Sequence, residues 1–218
     1  MSITNSLGFN LWVKKSSESK ILDVSDEFGL ELGWKKRQDA FGKSDYDIPS
    51  RVSEFADEFM KLDQKVISSG KSLITIDIMP YSSGWKVYLF EKGLINEKKE
   101  LLASAINLTN SYIFKKSLIM HEANLHYCKN IDKPVSYIIN HEHSPLSLTK
   151  QQEICLFFLI RGKSAKEIAY TIGTSSRTVE KHISQLKEKL CCYSKSQLVE
   201  KAIDSGFMFY VPRDVAGI

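Results

Sequence analysis

Residues Gly162–Leu190, GKSAKEIAYTIGTSSRTVEKHISQLKEKL, decide the fold of the C-terminal third. Ser164 stands where a helix N-cap belongs, and Glu167 three residues on completes a capping box. Ala165, Ile168, Ala169 and Ile172 then recur at helical spacing, and Gly173 suits a left-handed helix end. Ser175 or Ser176 caps a second helix, whose apolar stripe is Val179, Ile183, Leu186 and Leu190. Its opposite face carries Arg177, Glu180, Lys181, Ser184 and Lys187. A short buried helix, a tight turn and a longer helix with a polar outer face predict a helix-turn-helix. Its second helix is shaped for the DNA major groove.

The flanks extend the pattern. Thr149 and Gln152 form a capping box ahead of the apolar run Ile154–Ile160, and Ser194 and Gln197 open a fourth helix carrying Leu198, Val199, Ala202 and Ile203. Leu148-Thr149, Gln152-Glu153 and Gly162-Lys163-Ser164-Ala165-Lys166-Glu167-Ile168-Ala169 come first. Ser175, Arg177-Thr178-Val179-Glu180, His182, Lys189-Leu190 and Ser194 follow. On these residues the stretch from Leu146 to about Phe207 resembles the LuxR-type DNA-binding domain. Cys191-Cys192-Tyr193 departs from it, since a glycine or small aliphatic residue is common there.

The resemblance implies roles. Helix N-termini and polar residues near the turn meet phosphates, here Lys166, Ser175, Arg177 and Thr178. The exposed face of the recognition helix, Glu180, Lys181 and Ser184, meets base edges. Lysine suits guanine, and a carboxylate suits the cytosine amine. Lys187 is placed for a phosphate. His182 reads as a packing residue. The fourth helix is the family's dimer surface, so Leu198, Val199 and Ala202 are expected to pair with a second copy. The implied partners are double-stranded promoter DNA and a homodimeric mate, with RNA polymerase as a further candidate.

Charge distribution agrees. The chain carries +4, and residues 1–145 balance 19 Lys+Arg against 19 Asp+Glu while residues 146–218 hold 11 against 7. The whole excess sits on the candidate DNA-binding domain. At 218 residues, 43% of them hydrophobic, the chain suits two small domains. No apolar run approaches the roughly 18 residues of a membrane span. The N-terminus lacks the order of a signal peptide, so a cytoplasmic protein with no membrane partner is expected. Cys128, Cys155, Cys191 and Cys192 have no ligand spacing, and no metal site is expected. They read as free thiols; a redox role for the adjacent Cys191-Cys192 pair is the sharper alternative.

Ahead of this domain the pattern is mixed α and β. Strands are expected at Leu11–Val13 and Ile21–Val24 around a polar turn, Lys14–Lys20. A short helix follows at Phe28–Trp34 and a longer one at Val52–Ser69, ended by Gly70. Further strands are expected at Ser72–Met79, Trp85–Phe90 and Leu101–Leu108, with Pro80–Gly84 as a turn. The segment Phe41-Gly42-Lys43-Ser44-Asp45-Tyr46-Asp47-Ile48-Pro49, the helix Phe59-x-x-x-Asp63-x-x-Val66-Ile67-x-x-Gly70 and the strand end Ile106-Asn107-Leu108-Thr109 resemble a PAS domain. Asn107 stands where that family often has aspartate.

A PAS core often holds a small ligand. No histidine precedes His121 and no cysteine precedes Cys128, which disfavours histidine-held haem and a cysteine-linked flavin. No cofactor is specified. Trp12, Trp34, Tyr46, Trp85, Tyr81 and Tyr88 are either pocket walls or core aromatics.

The fold class expected is α+β: a PAS-like antiparallel sheet with flanking helices over residues 1–110, a connector over 111–145 and an all-α four-helix domain over 146–218. Asn110–Cys128 has helical spacing and is either a dimer-pairing or a packing helix. Asn130–Ser147 reads as a linker around a short apolar piece, Val135–Ile139. His141-Glu142-His143 lacks further ligands for a metal and reads as solvated linker. No nucleophile elbow, P-loop, metal quartet or paired catalytic carboxylates occur, so the chain is not read as an enzyme. The expected function is sequence-specific transcriptional regulation modulated by a ligand or partner at the PAS-like domain. An acyl-homoserine-lactone-type receptor and a protein-interaction adaptor built on the same fold are the alternatives. Residues 1–110 lack the paired acids of a phosphorylated receiver domain.

Overall fold

The structure is a computed structural model and describes residues 11–110 and 134–216. The described residues form two compact units, which divide between Tyr137 and Ile138. The candidate connector helix over 110–128 lies outside them, apart from Asn110.

The N-terminal unit is built on a six-stranded sheet, in the order β2-β1-β5-β4-β3-β6. The strands are β1 (Leu11–Lys15), β2 (Ile21–Val24), β3 (Leu73–Tyr81), β4 (Gly84–Leu94), β5 (Leu101–Asn107) and β6 (Val135–Ile138). β3 and β4 pair antiparallel from Leu73↔Lys92 to Tyr81↔Gly84. The turn between them is therefore Ser82–Ser83, tighter than Pro80–Gly84; Gly84 enters at φ 103°, a conformation that favours glycine. On β1, Val13 lies opposite Val24 on one side and Ala103 on the other, and on β4 Phe90 lies opposite Ala105. This alternation puts Val13, Val24, Tyr88, Phe90, Ala103 and Ala105 into one core with Phe28, Leu32, Val52 and Phe59 from the preceding helices.

Helix α1 (Asp26–Leu32) starts earlier than the apolar residues alone suggest, because Ser25 accepts a hydrogen bond from the Phe28 N–H. It stops at Gly33, φ 98°, where a Cβ would lie 3.2 Å from the Ser50 nitrogen. Trp34 therefore falls outside the helix. The helical rhythm from Val52 is realised as a 3-10 turn, Arg51–Phe55, followed by helix α2 (Ala56–Ser69), which ends at Gly70.

Two expectations need correction here. β1 runs on to Lys15, so the polar turn is shorter than Lys14–Lys20. Val135–Ile138 is no linker piece. It is the sixth strand, next to β3.

The C-terminal unit holds helices α3 (Lys150–Leu159), α4 (Ala165–Ile172), α5 (Ser176–Lys189), α6 (Lys195–Asp204) and the short α7 (Arg213–Ala216). α3 is buried on every side, with Ile154 to Leu159 all enclosed. Ile168 and Ala169 of α4, Val179, Ile183 and Leu186 of α5, and Leu198 and Ala202 of α6 complete this core. Thr149–Gln152 and Ser164–Glu167 form full capping boxes, and Ser175 rather than Ser176 caps α5. At α6 only half a box forms. Ser194 accepts from the Gln197 N–H, but the Gln197 side chain accepts from the Tyr193 N–H. Among the described residues no helix is long and apolar enough to cross a membrane.

Candidate DNA interface and sensory cavity

α4, its glycine turn and α5 make the helix-turn-helix. Gly173 takes φ 67°, ending α4 one residue past Ile172 and letting α5 begin at Ser176. Val179, Ile183 and Leu186 anchor α5 in the core, and this fixes which residues point outward. Arg177, Thr178, Glu180, Lys181 and Ser184 are all exposed, and Lys187 is half-buried. The α5 N-terminus has no acidic residue in its first turn. Its positive dipole end and free amides therefore stay open to an anion. The Ser175 hydroxyl is exposed but engaged, accepting from the Thr178 N–H at 3.1 Å and lying 2.8 Å from the Thr178 hydroxyl. Lys166 is exposed on α4, and Tyr170 one turn further on is 92% exposed. Tyr170 was legible as a residue off the apolar stripe of its helix.

The candidate dimer residues divide. Leu198 and Ala202 have no accessible surface in the chain, so they are core residues and not the surface offered to a second copy. Val199 is half-buried and Ile203 is 44% exposed, and both line a shallow groove with Leu159 and Ile160. Helical spacing predicts one stripe; it does not say which of its edges the domain itself covers.

His141-Glu142-His143 is likewise corrected. It is a 3-10 turn with His143 buried, and the His141 Nδ1 lies 3.0 Å from the carboxylate of Glu153. That carboxylate, 1% exposed on α3, also accepts from the Tyr210 hydroxyl at 2.8 Å. No metal-binding cluster occurs among the described residues.

The N-terminal unit holds a partly open cavity of about 40 Å³. Its apolar wall includes Val13, Phe28, Phe59, Tyr81 and Phe90; its polar wall is Lys15, Asp45, Asp77 and Lys92. Of the aromatic residues singled out from sequence, only Tyr81 lines it. Tyr88 is core, Tyr46 is 56% exposed, and Trp12, Trp34 and Trp85 are half-buried elsewhere.

The polar wall belongs to a buried ionic network. Lys15 spends its three protons on Asp45, at 2.8 and 2.7 Å, and on Asp63 at 2.9 Å. Lys92 donates to the other Asp63 oxygen at 2.8 Å and lies 5.4 Å from the centre of the Phe59 ring. Lys92 thus keeps donor capacity toward the cavity. Burial raises the Asp63 carboxyl, but the ammonium groups of Lys15 and Lys92 outweigh it and hold its pKa at about 2. Burial lowers the Lys15 ammonium, and the two carboxylates reverse that to a net rise. Asp77 differs. Burial dominates and raises its carboxyl above the ordinary value, with Lys92 and the Ser136 hydroxyl opposing. The sequence signal for this network was Asp63, a carboxylate on the apolar stripe of α2 between Leu62 and Val66.

Residues 146–202 match the family model for bacterial regulatory proteins, luxR family. The transcriptional activator protein VanR of Vibrio anguillarum is 43% identical over 61 residues, 28% of this chain and 25% of that protein. LuxR of Aliivibrio fischeri is 32% identical over 90 residues, 38% of this chain and 36% of that protein. The chain thus spans well under half the length of these curated relatives. A solved structure of the Vibrio cholerae VqmA dimer in the absence of target DNA is 25% identical, with a TM-score of 0.50, over 99% of this chain and 93% of that one. Residues 146–202 are therefore a LuxR-type helix-turn-helix domain, preceded by an antiparallel sheet with flanking helices in a PAS-like arrangement.

Proposed function

We propose that the protein is a sequence-specific transcriptional regulator in the cytoplasm, binding promoter DNA as a homodimer and modulated by a small molecule held in the N-terminal cavity. The observation that carries the reading is the outer face of α5. Arg177, Thr178, Glu180, Lys181 and Ser184 stand together opposite a buried stripe, beside a positive helix end with no acidic residue in its first turn. A groove-reading helix needs this combination of base-edge donors and phosphate-facing amides. An adaptor that had given up DNA would have no use for it. VqmA of Vibrio cholerae, described as a dimer that has a target DNA and grouped with LuxR-type receptors, supports the same reading over nearly the full chain.

The cavity supports the regulatory half. Phe28, Phe59, Tyr81 and Phe90 suit a compact apolar or aromatic body, while Lys92 offers a donor and Asp77 a carboxyl group. The two ammonium groups and the Asp45 and Asp63 carboxylates already balance each other, so a neutral ligand with one acceptor and one donor fits better than an ion. Dimerisation is assigned to the outer edge of α6, Val199 and Ile203.

Binding of the full chain to a randomised duplex library, with selection and sequencing, tests the DNA half. A defined motif should emerge, and its affinity should fall with salt at a slope matching about four to eight phosphate contacts. Undetectable or salt-independent binding would refute it. Mass spectrometry of molecules released from the purified protein tests the cavity.

A further inference from the structure

β6 crosses the boundary between the two units. Val135, Ser136 and Tyr137 belong to the N-terminal unit, and Ile138 is the first residue of the C-terminal one. On the N-terminal side the Ser136 hydroxyl donates to Asp77 Oδ1, a buried side-chain bond between a wall residue of the cavity and the strand that leaves the sheet. On the C-terminal side the Ile138 carbonyl accepts from the Val211 N–H at 2.8 Å, and Ile138 forms a parallel bridge with Tyr210. Tyr210 in turn donates to Glu153 in the first turn of α3.

Two features make Asp77 suited to report what occupies the cavity. It sits with Tyr81 on the face of β3 that lines the cavity, and its carboxyl is 1% exposed, so anything polar that arrives there competes directly with Ser136. Burial dominates at this carboxyl even though the Lys92 ammonium and the Ser136 and Thr75 hydroxyls oppose it, and Ser136 is the donor that comes from β6. A donor supplied by a ligand would be strongly preferred at such a position.

We propose that Asp77 and Ser136 form a latch through which cavity occupancy is conveyed along β6 to the DNA-binding domain. With the cavity unoccupied, Asp77 holds Ser136 and the strand stays fixed at both ends. A ligand group that bonds Asp77 weakens that hold, loosens the Ser136–Ile138 segment and with it the Ile138–Val211 pairing. Ser136 and Asp77 are positioning residues; neither touches DNA. The proposal rests on the reading of the cavity as a ligand site, but its test requires no ligand.

The experiment uses the full chain and the duplex selected from the randomised library. Hydrogen exchange at the Val211 amide and affinity for that duplex are measured for Ser136→Ala, Ser136→Thr and the parent. Ser136→Ala should speed exchange at Val211 about tenfold and shift duplex affinity at least about threefold, while Ser136→Thr, which keeps the hydroxyl, should resemble the parent. Slow-exchanging amides of β4 report whether the sheet is intact. If Ser136→Ala loses the sheet, Asp77→Ala is used, which removes the acceptor of the Ser136 hydroxyl; it should move Val211 exchange in the same direction. Unchanged exchange at Val211 in a folded variant, or equal effects of Ala and Thr, would overturn the latch. A protein from which no ligand can be released would defeat the sensor reading and leave the Ser136 result standing.

Discussion

At the scale of single residues, burial and backbone angle separate side chains that look alike in the sequence. Lys166 and Lys181 are both exposed lysines of the helix-turn-helix, one on α4 and one on α5. Lys181→Ala should relax preference at one or two base pairs, about 1–3 kcal/mol each, while Lys166→Ala should weaken all sequences about equally. Selection on each variant decides it: an unchanged motif for Lys181→Ala would remove that residue from base reading. Cys191 offers a different test. It follows α5 at φ 51°, where the LuxR-type pattern commonly has a glycine. Relief of that strain should make Cys191→Gly about 1 kcal/mol more stable, visible as a rise of a few degrees in the thermal midpoint of the C-terminal domain.

At the scale of elements, caps and stripes were plain in the sequence and long-range partners were not. Ser164-x-x-Glu167 and Thr149-x-x-Gln152 specify their helix starts through bonds three residues apart, so reading them needs no knowledge of the rest of the chain. Val135–Ile138 is too short to declare itself, and it becomes a strand only because β3 lies beside it. Leu198 and Val199 are neighbours in one apolar stripe, and only packing shows that the first is core and the second half-exposed. Leu198→Asp should therefore unfold the C-terminal domain, at about 3 kcal/mol or more, with loss of DNA binding. Ile203→Asp should keep the fold and yield a monomer in sedimentation; an intact dimer would remove α6 from the interface. The network on β1, α2 and β4 gives an acid signature. Asp63 is held well below its ordinary 3.8, at about 2, so its stabilisation is full above about pH 4 and fades as pH falls toward 2. Asp63→Asn should flatten that dependence and cost roughly 3–5 kcal/mol by leaving two ammonium groups undercompensated. All three tryptophans, Trp12, Trp34 and Trp85, lie in the N-terminal unit, so their fluorescence follows this transition alone.

At the scale of the whole chain, the two candidate sites were unequally legible. The candidate DNA-reading surface is written in a contiguous stretch of sequence, because one supersecondary unit carries it. The cavity is assembled from β1, α1, α2, β3, β4 and β5, and its polar wall from residues as far apart as Lys15 and Lys92. A homodimer reading DNA through paired α5 helices requires an inverted-repeat target with half-sites about one helical turn apart. Selected duplexes carrying a single unpaired half-site would contradict the dimeric reading. The placement of β6 has a practical consequence as well. β3 is nine residues long, rich in isoleucine and buried along nearly its whole length. A fragment that stops at residue 110 leaves one side of β3 with its row of backbone amides and carbonyls unmatched, which is the template that drives edge-to-edge aggregation. Such a fragment should precipitate on expression, and one that retains residues 134–138 should stay in solution.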